Sequence, residues 1–361
     1  MDLEIESNAS NELIASGSTN YSNNTQLSIE SNNLNICNSN IQFYPEKFIV
    51  INNQSQNINQ FGNIQNTQIP ENNQNKQNNE LLTKINKNLF NYNFESKDDF
   101  LSFAGEYLDE IYMNLLLDEK QLKYKPKYGY MYLQSDINEQ MRAILIDWLI
   151  DVHFRYKLKT ETLFQTVWII DTYLSYHEIT RAKLQLLGIA SLLISCKSQE
   201  IYYPQLKDFI DITDGAYIKN ELLEMENNIL KILNFNIVSP TSNDFYNIIA
   251  KGFNFDKKQF FLGKYFLESS LIDYNMIKYS SSIIAVSCAY IVMKFFGINN
   301  YKYLYTSNVV LEENQEKIIK DAAREIYFLI KNLSKSTLKA IKDKYSLNQF
   351  LNVAQYCEQQ Q

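Results

Sequence analysis

The chain has 361 residues, of which 45% are hydrophobic, and carries a formal net charge of -7 with only 9 Gly and 5 Pro. Gly and Pro are the main helix breakers and average about 7% and 5% of residues, so their scarcity points to long uninterrupted helices. The acidic balance offers no basic footprint for nucleic acid, no stretch reaches the roughly 18 consecutive apolar residues of a membrane span, and the opening MDLEIESNAS has neither the basic nor the apolar region of a signal peptide.

Residues 1–95 are dominated by Asn, Gln and Ser, with isolated apolar groups such as Phe48-Ile49-Val50-Ile51. Such a composition cannot offset an ordering entropy of roughly 1–2 kcal/mol per residue, so the segment is read as a disordered tail. From Asp98 apolar residues recur at helical spacing, and residues 98–136 are read as an N-terminal helix and a linker. The i, i+4 row Phe103, Tyr107, Ile111 and Leu115 predicts an amphipathic helix lying on the surface of the helices C-terminal to it. Lys125-Pro126-Lys127-Tyr128-Gly129-Tyr130 forms the linker, and Asp136 is the predicted N-cap of a helix running to Tyr156.

Five helical segments are predicted within 137–238, at 137–156, 160–175, 181–196, 204–211 and 217–233. Asn236-Ile237-Val238-Ser239-Pro240 is a second linker, because Pro240 ends any helix before it. A second set within 239–341 falls at 241–250, 256–272, 279–296, 307–311 and 315–331, and 342–361 is read as a C-terminal tail. The third helix of each block is rich in small residues: Gly188, Ala190, Ser191, Ser195 and Cys196 in one, Ala285, Ser287, Cys288 and Ala289 in the other. Small side chains let helices approach closely, so each is predicted to be central in its bundle. The fold class is therefore all-α: two tandem five-helix bundles and an extra N-terminal helix, behind a disordered Asn-rich tail.

Sites for metal, nucleotide or covalent chemistry are not visible. There is no G-x-G-x-x-G, P-loop, H-E-x-x-H or C-x-x-C, and the two histidines, His153 and His177, are isolated. His153, in the strongest helix, reads as a packed or partly exposed ring; His177 falls in a polar loop. The four cysteines (Cys37, Cys196, Cys288 and Cys357) show no metal spacing, and Cys196 and Cys288 sit in apolar runs as buried free thiols, which fits a reducing compartment. No cofactor, nucleic-acid partner or membrane is expected, and a nuclear and/or cytoplasmic location is.

The most informative segment is Met141–Val152, which is apolar on too many sides. One stripe holds Ile146, Leu149, Ile150 and His153 or Phe154; another holds Met141, Ile144, Leu145, Trp148 and Val152. A surface helix needs only one apolar face, so the helix is either buried all round or presents an apolar patch to a partner.

Met141-Arg142-Ala143-Ile144-Leu145 followed by Asp147-Trp148-Leu149 resembles the cyclin-box signature of A- and B-type cyclins. The resemblance continues through Tyr156-Lys157-Leu158, Glu161-Thr162-Leu163, Asp171-Thr172-Tyr173-Leu174-Ser175, Lys183-Leu184-Gln185-Leu186, Glu200-Ile201, Pro204 and Ile212-Thr213-Asp214, with Lys125-Pro126-Lys127 and Gly129-Tyr130-Met131 upstream. It is strong over about 107–241, weaker to about 341, and does not reach the tail.

The resemblance implies two cyclin boxes and a regulatory, non-catalytic subunit, a heterodimer partner of a cyclin-dependent Ser/Thr protein kinase, of the mitotic, G2/M type. It implies a kinase-binding set of Lys197, Glu226, Glu200, Ile201, Ile111, Leu230, Phe235 and Ile237, and a structural ion pair between Arg142 and Asp171. Met141, Ile144, Leu145, Trp148, Asp151, Leu184 and Gln185 match a patch that docks Arg-x-Leu motifs of substrates or inhibitors. The chain departs from the family at Lys197-Ser198-Gln199-Glu200-Ile201, where an aromatic usually follows the lysine, and it has neither a destruction box upstream of Arg142 nor a Lys-Glu-Asn box. The alternative function is a cyclin-fold transcription factor or adaptor that activates no kinase.

Overall fold

The computed structural model describes residues 107–302, 304, 314–333 and 335–359, and among these every regular element is helical. The expected tail at 1–95, Phe103 and the segment 307–311 lie outside the described residues.

Helix α1 spans Leu108–Gln121 and turns Leu108, Tyr112, Met113 and Leu116 inward. The buried row is thus the neighbour of the one read from sequence: Tyr107 is 56% and Ile111 38% exposed. Two apolar rows share this helix, and periodicity alone does not say which one meets the core. The linker then makes a tight turn with Gly129 at φ 90°, a left-handed conformation that disfavours a Cβ.

The first bundle comprises α2 (Glu139–Arg155), α3 (Thr160–Leu174), α4 (Arg181–Gln199), α5 (Leu206–Asp211) and α6 (Lys219–Ile232). The N-cap of α2 is Asn138, whose side chain accepts from the Met141 amide at 2.9 Å. Asp136, expected in that role, instead receives the Arg181 backbone and guanidinium N–H groups at 2.8 and 2.7 Å and tethers the start of α4, which holds its carboxyl below the usual range. Helix α4 touches α2, α3, α5 and α6 and is the central element. Gly188 lets α4 approach α2 closely there, since a Cβ would stand 2.8 Å from Leu145 Cδ1 and oblige that side chain to shift.

The second bundle comprises α7 (Ser242–Gly252), α8 (Lys257–Ile272), α9 (Ser281–Phe295) and α10 (Gln315–Leu333), followed by the short α11 (Ala340–Tyr345) and α12 (Val353–Gln359). Thr241 and Asp244 close a capping box on α7, with the Thr241 amide and hydroxyl donating to Asp244 at 2.8 and 2.7 Å. Helix α9 contacts α7, α8 and α10 and is the central element here. The stretch read as a tail from 342 onward carries structure instead: Tyr345, Val353, Ala354 and Cys357 are buried in the second core. Cys196 and Cys288 are buried free thiols, and burial pushes the Cys196 thiol up to about 12.

Helix α2 belongs to both bundles. Leu145, Leu149 and Val152 sit in the first core, whereas Ile146 and Ile150 join the second, together with Leu163, Phe164 and Val167 of α3 and the inner face of α1. Its two apolar stripes are thereby accounted for. Seven of its 17 residues are buried because two cores share it, and one edge remains outside.

Candidate functional site

Arg142 organises the seam between the bundles. Its side chain is 2% exposed and grips Asp171 of α3 in a fork, Nε and Nη2 each donating at 2.6 Å. Tyr130 donates to the same carboxylate at 2.8 Å. The remaining nitrogen, Nη1, donates to the carbonyls of Leu271 and Ile272 at 3.1 and 3.2 Å, at the C-terminal end of α8, where a cation suits the helix dipole. Burial opposes the charge, but the carboxylate and phenol beside it hold the guanidinium protonated above its ordinary range. The ion pair therefore reaches beyond the first bundle and fastens it to the second.

One further contact reinforces the seam. Asp147 accepts from the Ala340 amide at 3.1 Å, and partial burial raises its carboxyl pKa. Within the second bundle, Glu268 of α8 accepts from Lys344 of α11 on both oxygens at 2.7 Å and from the Tyr345 hydroxyl at 2.8 Å, all buried. This pairing was invisible in the sequence because the partners stand 76 residues apart. His153 is 3% exposed on the same side of α2.

At the outer end of the first bundle, Lys197 in the last turn of α4 meets Glu226 of α6 at 2.5 Å, with side chains 39% and 12% exposed. Leu230 follows Glu226 by one turn on the same helix face and is half-buried. Gln165 of α3 draws two neighbouring segments to this end: its amide donates to the Ile237 carbonyl at 2.8 Å and accepts from Gln199 at 2.7 Å. Phe235 is consequently presented 68% exposed and Ile201 80% exposed, beside Tyr202 at 93% and Val238 at 72%. Ile237 is half-buried. Tyr202 and Val238 were missed from the sequence, although an apolar run ending at Pro204 is a signal for an exposed turn.

Glu200 is employed inside the fold. It accepts from the Lys159 amide at 2.7 Å and the Thr162 hydroxyl at 2.5 Å, satisfying the N-terminus of α3. Ile111 stands on the outward side of α1, whose inner side packs on α7.

The second candidate surface is the free edge of α2. Ile144 is 52% exposed, Met141, Trp148 and Asp151 are half-buried, and Gln185 of α4 lies beside Leu184 in sequence at intermediate burial. Leu145 and Leu184 do not line it: both are 5% exposed and face the core, Leu145 because it closes over Gly188. Asp151 is paired with Arg155 one turn on, at 2.5 Å, with side chains 40% and 73% exposed. Among the described residues no group of three or more His, Cys, Asp or Glu side chains could hold a metal ion, and no helix is long and apolar enough to cross a membrane.

The described residues thus form two helical bundles joined by a buried arginine, with charged and apolar rims. Residues 110–238 match the family description "Cyclin, N-terminal domain" and residues 240–359 "Cyclin, C-terminal domain". A Hydra vulgaris protein named G2/mitotic-specific cyclin-B is 34% identical over 253 residues, 70% of this chain and 68% of that one. A Gallus gallus G2/mitotic-specific cyclin-B2 is 36% identical over 253 residues, 70% of this chain and 62% of its own length. Cyclin-B2-1 of Oryza sativa subsp. japonica is 43% identical over 187 residues, 52% of this chain and 44% of that protein. The matches thus span about half to two thirds of these relatives. A solved structure of a viral cyclin from herpesvirus saimiri shares the fold with a TM-score of 0.50 at 20% identity, covering 60% of this chain and 97% of that one. The chain belongs to the cyclin family.

Proposed function

We propose that this protein is a regulatory subunit, without catalysis of its own, that binds and activates a cyclin-dependent Ser/Thr protein kinase at the G2/M stage, in the nucleus or cytoplasm. The observation that carries the reading is the likeness to G2/mitotic-specific cyclins, which runs through both bundles. Lys197 and Glu226 are the polar centre of the kinase-facing rim in this reading, offering a cation and a carboxylate to backbone groups of the kinase. Ile201, Phe235, Leu230 and Ile237 supply apolar contact around them. Tyr202 and Val238 extend that rim and offset the absence of an aromatic at the exposed Ser198.

Activation is then a population shift. A kinase resting mostly inactive requires roughly 5.5 kcal/mol of differential binding to pass from 1:99 to 99:1. The rim supplies it only to the extent that it fits the active arrangement better than the inactive one. Phosphoryl transfer belongs to the kinase and its Mg²⁺. The free edge of α2 recruits substrates: Ile144 and Trp148 receive a leucine, worth about 1.5–3 kcal/mol on full burial, while Asp151 attracts the arginine of an Arg-x-Leu motif.

Reconstitution with candidate cyclin-dependent kinases and transfer of phosphate to a histone substrate tests this. Wild type activates and Glu226→Ala loses activation at sub-saturating concentration; equal activation by both rejects the rim assignment. Ile144→Ala with Trp148→Ala raises KM for Arg-x-Leu substrates and leaves short unanchored peptides unchanged. An equal effect on both classes rejects the docking role. Failure to form a stoichiometric complex with any such kinase leaves the adaptor function in its place.

A further inference from the structure

We propose that the free edge of α2 is occupied in cis by a segment of this same chain, Lys87-Asn88-Leu89-Phe90, which competes with incoming substrates for it. The inference rests on the docking role given to that edge above. The edge calls for a cation opposite Asp151 and an apolar side chain over Trp148 and Ile144, which lie three and seven residues back along α2. At 1.5 Å per residue these are about 4.5 and 10.5 Å from Asp151 along the helix axis. An extended segment places side chains i and i+2 on one side, roughly 6.6 Å apart. A basic residue and a leucine two positions later therefore span the edge, with the leucine between Trp148 and Ile144.

A basic residue two positions before a leucine occurs at Lys87, Lys120, Lys231, Lys302 and Lys331. Four of these leucines are committed to the fold. Leu233 and Leu304 are fully buried, Leu333 packs against the second core, and Leu122 is half-buried at the end of α1. Leu89 lies ahead of α1, and Phe90 follows it with a further ring.

Charge favours the same segment. In a chain of net charge -7, residues 81–94 carry Lys84 and Lys87 and no acid, opposite an edge bearing Asp151. Residues 91–106 separate Phe90 from the first described residue and reach up to about 55 Å when extended. That is more than twice the roughly 25 Å length of the 17-residue α2. A tether of this size holds its end at an effective concentration on the order of millimolar. A motif with an intrinsic Kd of about 100 μM would then stay docked most of the time, and a free peptide would bind about tenfold more weakly than to an empty edge.

The test uses the full-length chain and a fluorescein-labelled peptide containing Arg-Ala-Leu-Phe, monitored by anisotropy. Leu89→Ala combined with Phe90→Ala is expected to tighten peptide binding about tenfold, and adding Ile144→Ala with Trp148→Ala is expected to abolish it. Equal binding by wild type and the Leu89→Ala, Phe90→Ala chain, lost on changing Ile144 and Trp148, overturns the tether and leaves the docking role intact. Binding to neither chain, or binding indifferent to Ile144 and Trp148, overturns the docking role itself. Sedimentation that shows the tightening to accompany conversion of dimers to monomers overturns docking in cis in favour of exchange between copies.

Discussion

The seam between the bundles and the outer rims use the same chemistry to opposite ends. Inside, Arg142–Asp171 at the seam and Lys344–Glu268 within the second bundle are closed at 2.6 and 2.7 Å with side chains at most 6% exposed. At the rims, Lys197–Glu226 and Asp151–Arg155 are as short, 2.5 Å each, but one partner of the first and both of the second stand well out in solvent. Bond length does not distinguish them; desolvation and the number of supporting partners do. The buried carboxylate of each of these two pairs receives a tyrosine hydroxyl besides its cation, and Arg142 also satisfies two carbonyls of α8. Buried charges have nowhere else to go, and through the α8 carbonyls Arg142 specifies how the bundles meet. Rim charges have solvent beside them, so parting one of these pairs costs little.

The largest effect that would sharpen this contrast is expected from Arg142→Ala. It leaves Asp171 buried without its cation and the two α8 carbonyls without a donor, a loss of about 3–5 kcal/mol. The transition temperature should fall on the order of 10 °C, at roughly 2–4 °C per kcal/mol for a domain of this size. A change under about 1 kcal/mol would remove the distinction between seam and rim.

Next comes acid sensitivity centred on His153. Its Nε2 lies 2.9 Å from the Lys159 carbonyl, which can only accept, so Nε2 carries the proton and donates. Nδ1 is buried with no partner. Protonating Nδ1 would bury an unsolvated charge, and burial together with the nearby Lys344 ammonium lowers the imidazole pKa to about 4. Because the folded value lies below the unfolded one, the unfolded chain takes up the extra proton between about pH 6.5 and pH 4. Stability is full above about pH 6.5 and declines as pH falls toward 4, by about 3 kcal/mol from this residue. His153→Gln, compared with wild type in urea titrations at pH 7 and pH 5, should flatten that dependence; an unchanged slope would place the acid sensitivity elsewhere.

A smaller change is expected in the stability of Glu226→Ala. The pair is partly exposed, and solvent-facing pairs contribute roughly 0–1 kcal/mol. Its melting should match wild type within that range even where kinase activation is lost. Destabilisation comparable to that of Arg142→Ala would mean that Glu226 serves the fold.

Legibility in the sequence divides along the same line. Helices were legible where periodicity and breakers are local: α3 and α8 fall within a residue or two of their expected limits, and both small-residue helices are central. Facts that depend on a distant partner were not. The inward row of α1 needed the position of α7. Asp136 serves α4 and not the helix it precedes, because its partner Arg181 lies 45 residues away. Residues 342–361 read as a tail because the acid that receives Lys344 is on α8. Of the site, the resemblance supplied the residues, and the fold sorted them. Leu145 and Leu184 go to the core and Glu200 to the start of α3, while Lys197, Glu226, Ile144 and Trp148 remain partly open to solvent.

The smallest effect tests the rim at its most delicate point. Asp151 is engaged by Arg155 on its own helix, an i, i+4 pair in which both side chains are 40% or more exposed. An exposed helical pair of this kind is worth about 0.3–0.5 kcal/mol, so an arriving arginine or lysine must displace Arg155 at that cost. Arg155→Ala should leave folding stability unchanged to within about 0.5 kcal/mol. It should tighten binding of Arg-x-Leu peptides about twofold, since roughly 0.4 kcal/mol is close to a factor of two. In the docking proposed above, Lys87 and a substrate's arginine compete for the same carboxylate, so the gain should be measured in the Leu89→Ala, Phe90→Ala chain, where the tether cannot absorb it. A loss of affinity there would mean that Arg155 contacts the peptide directly and that Asp151 is not the acid the motif's cation seeks.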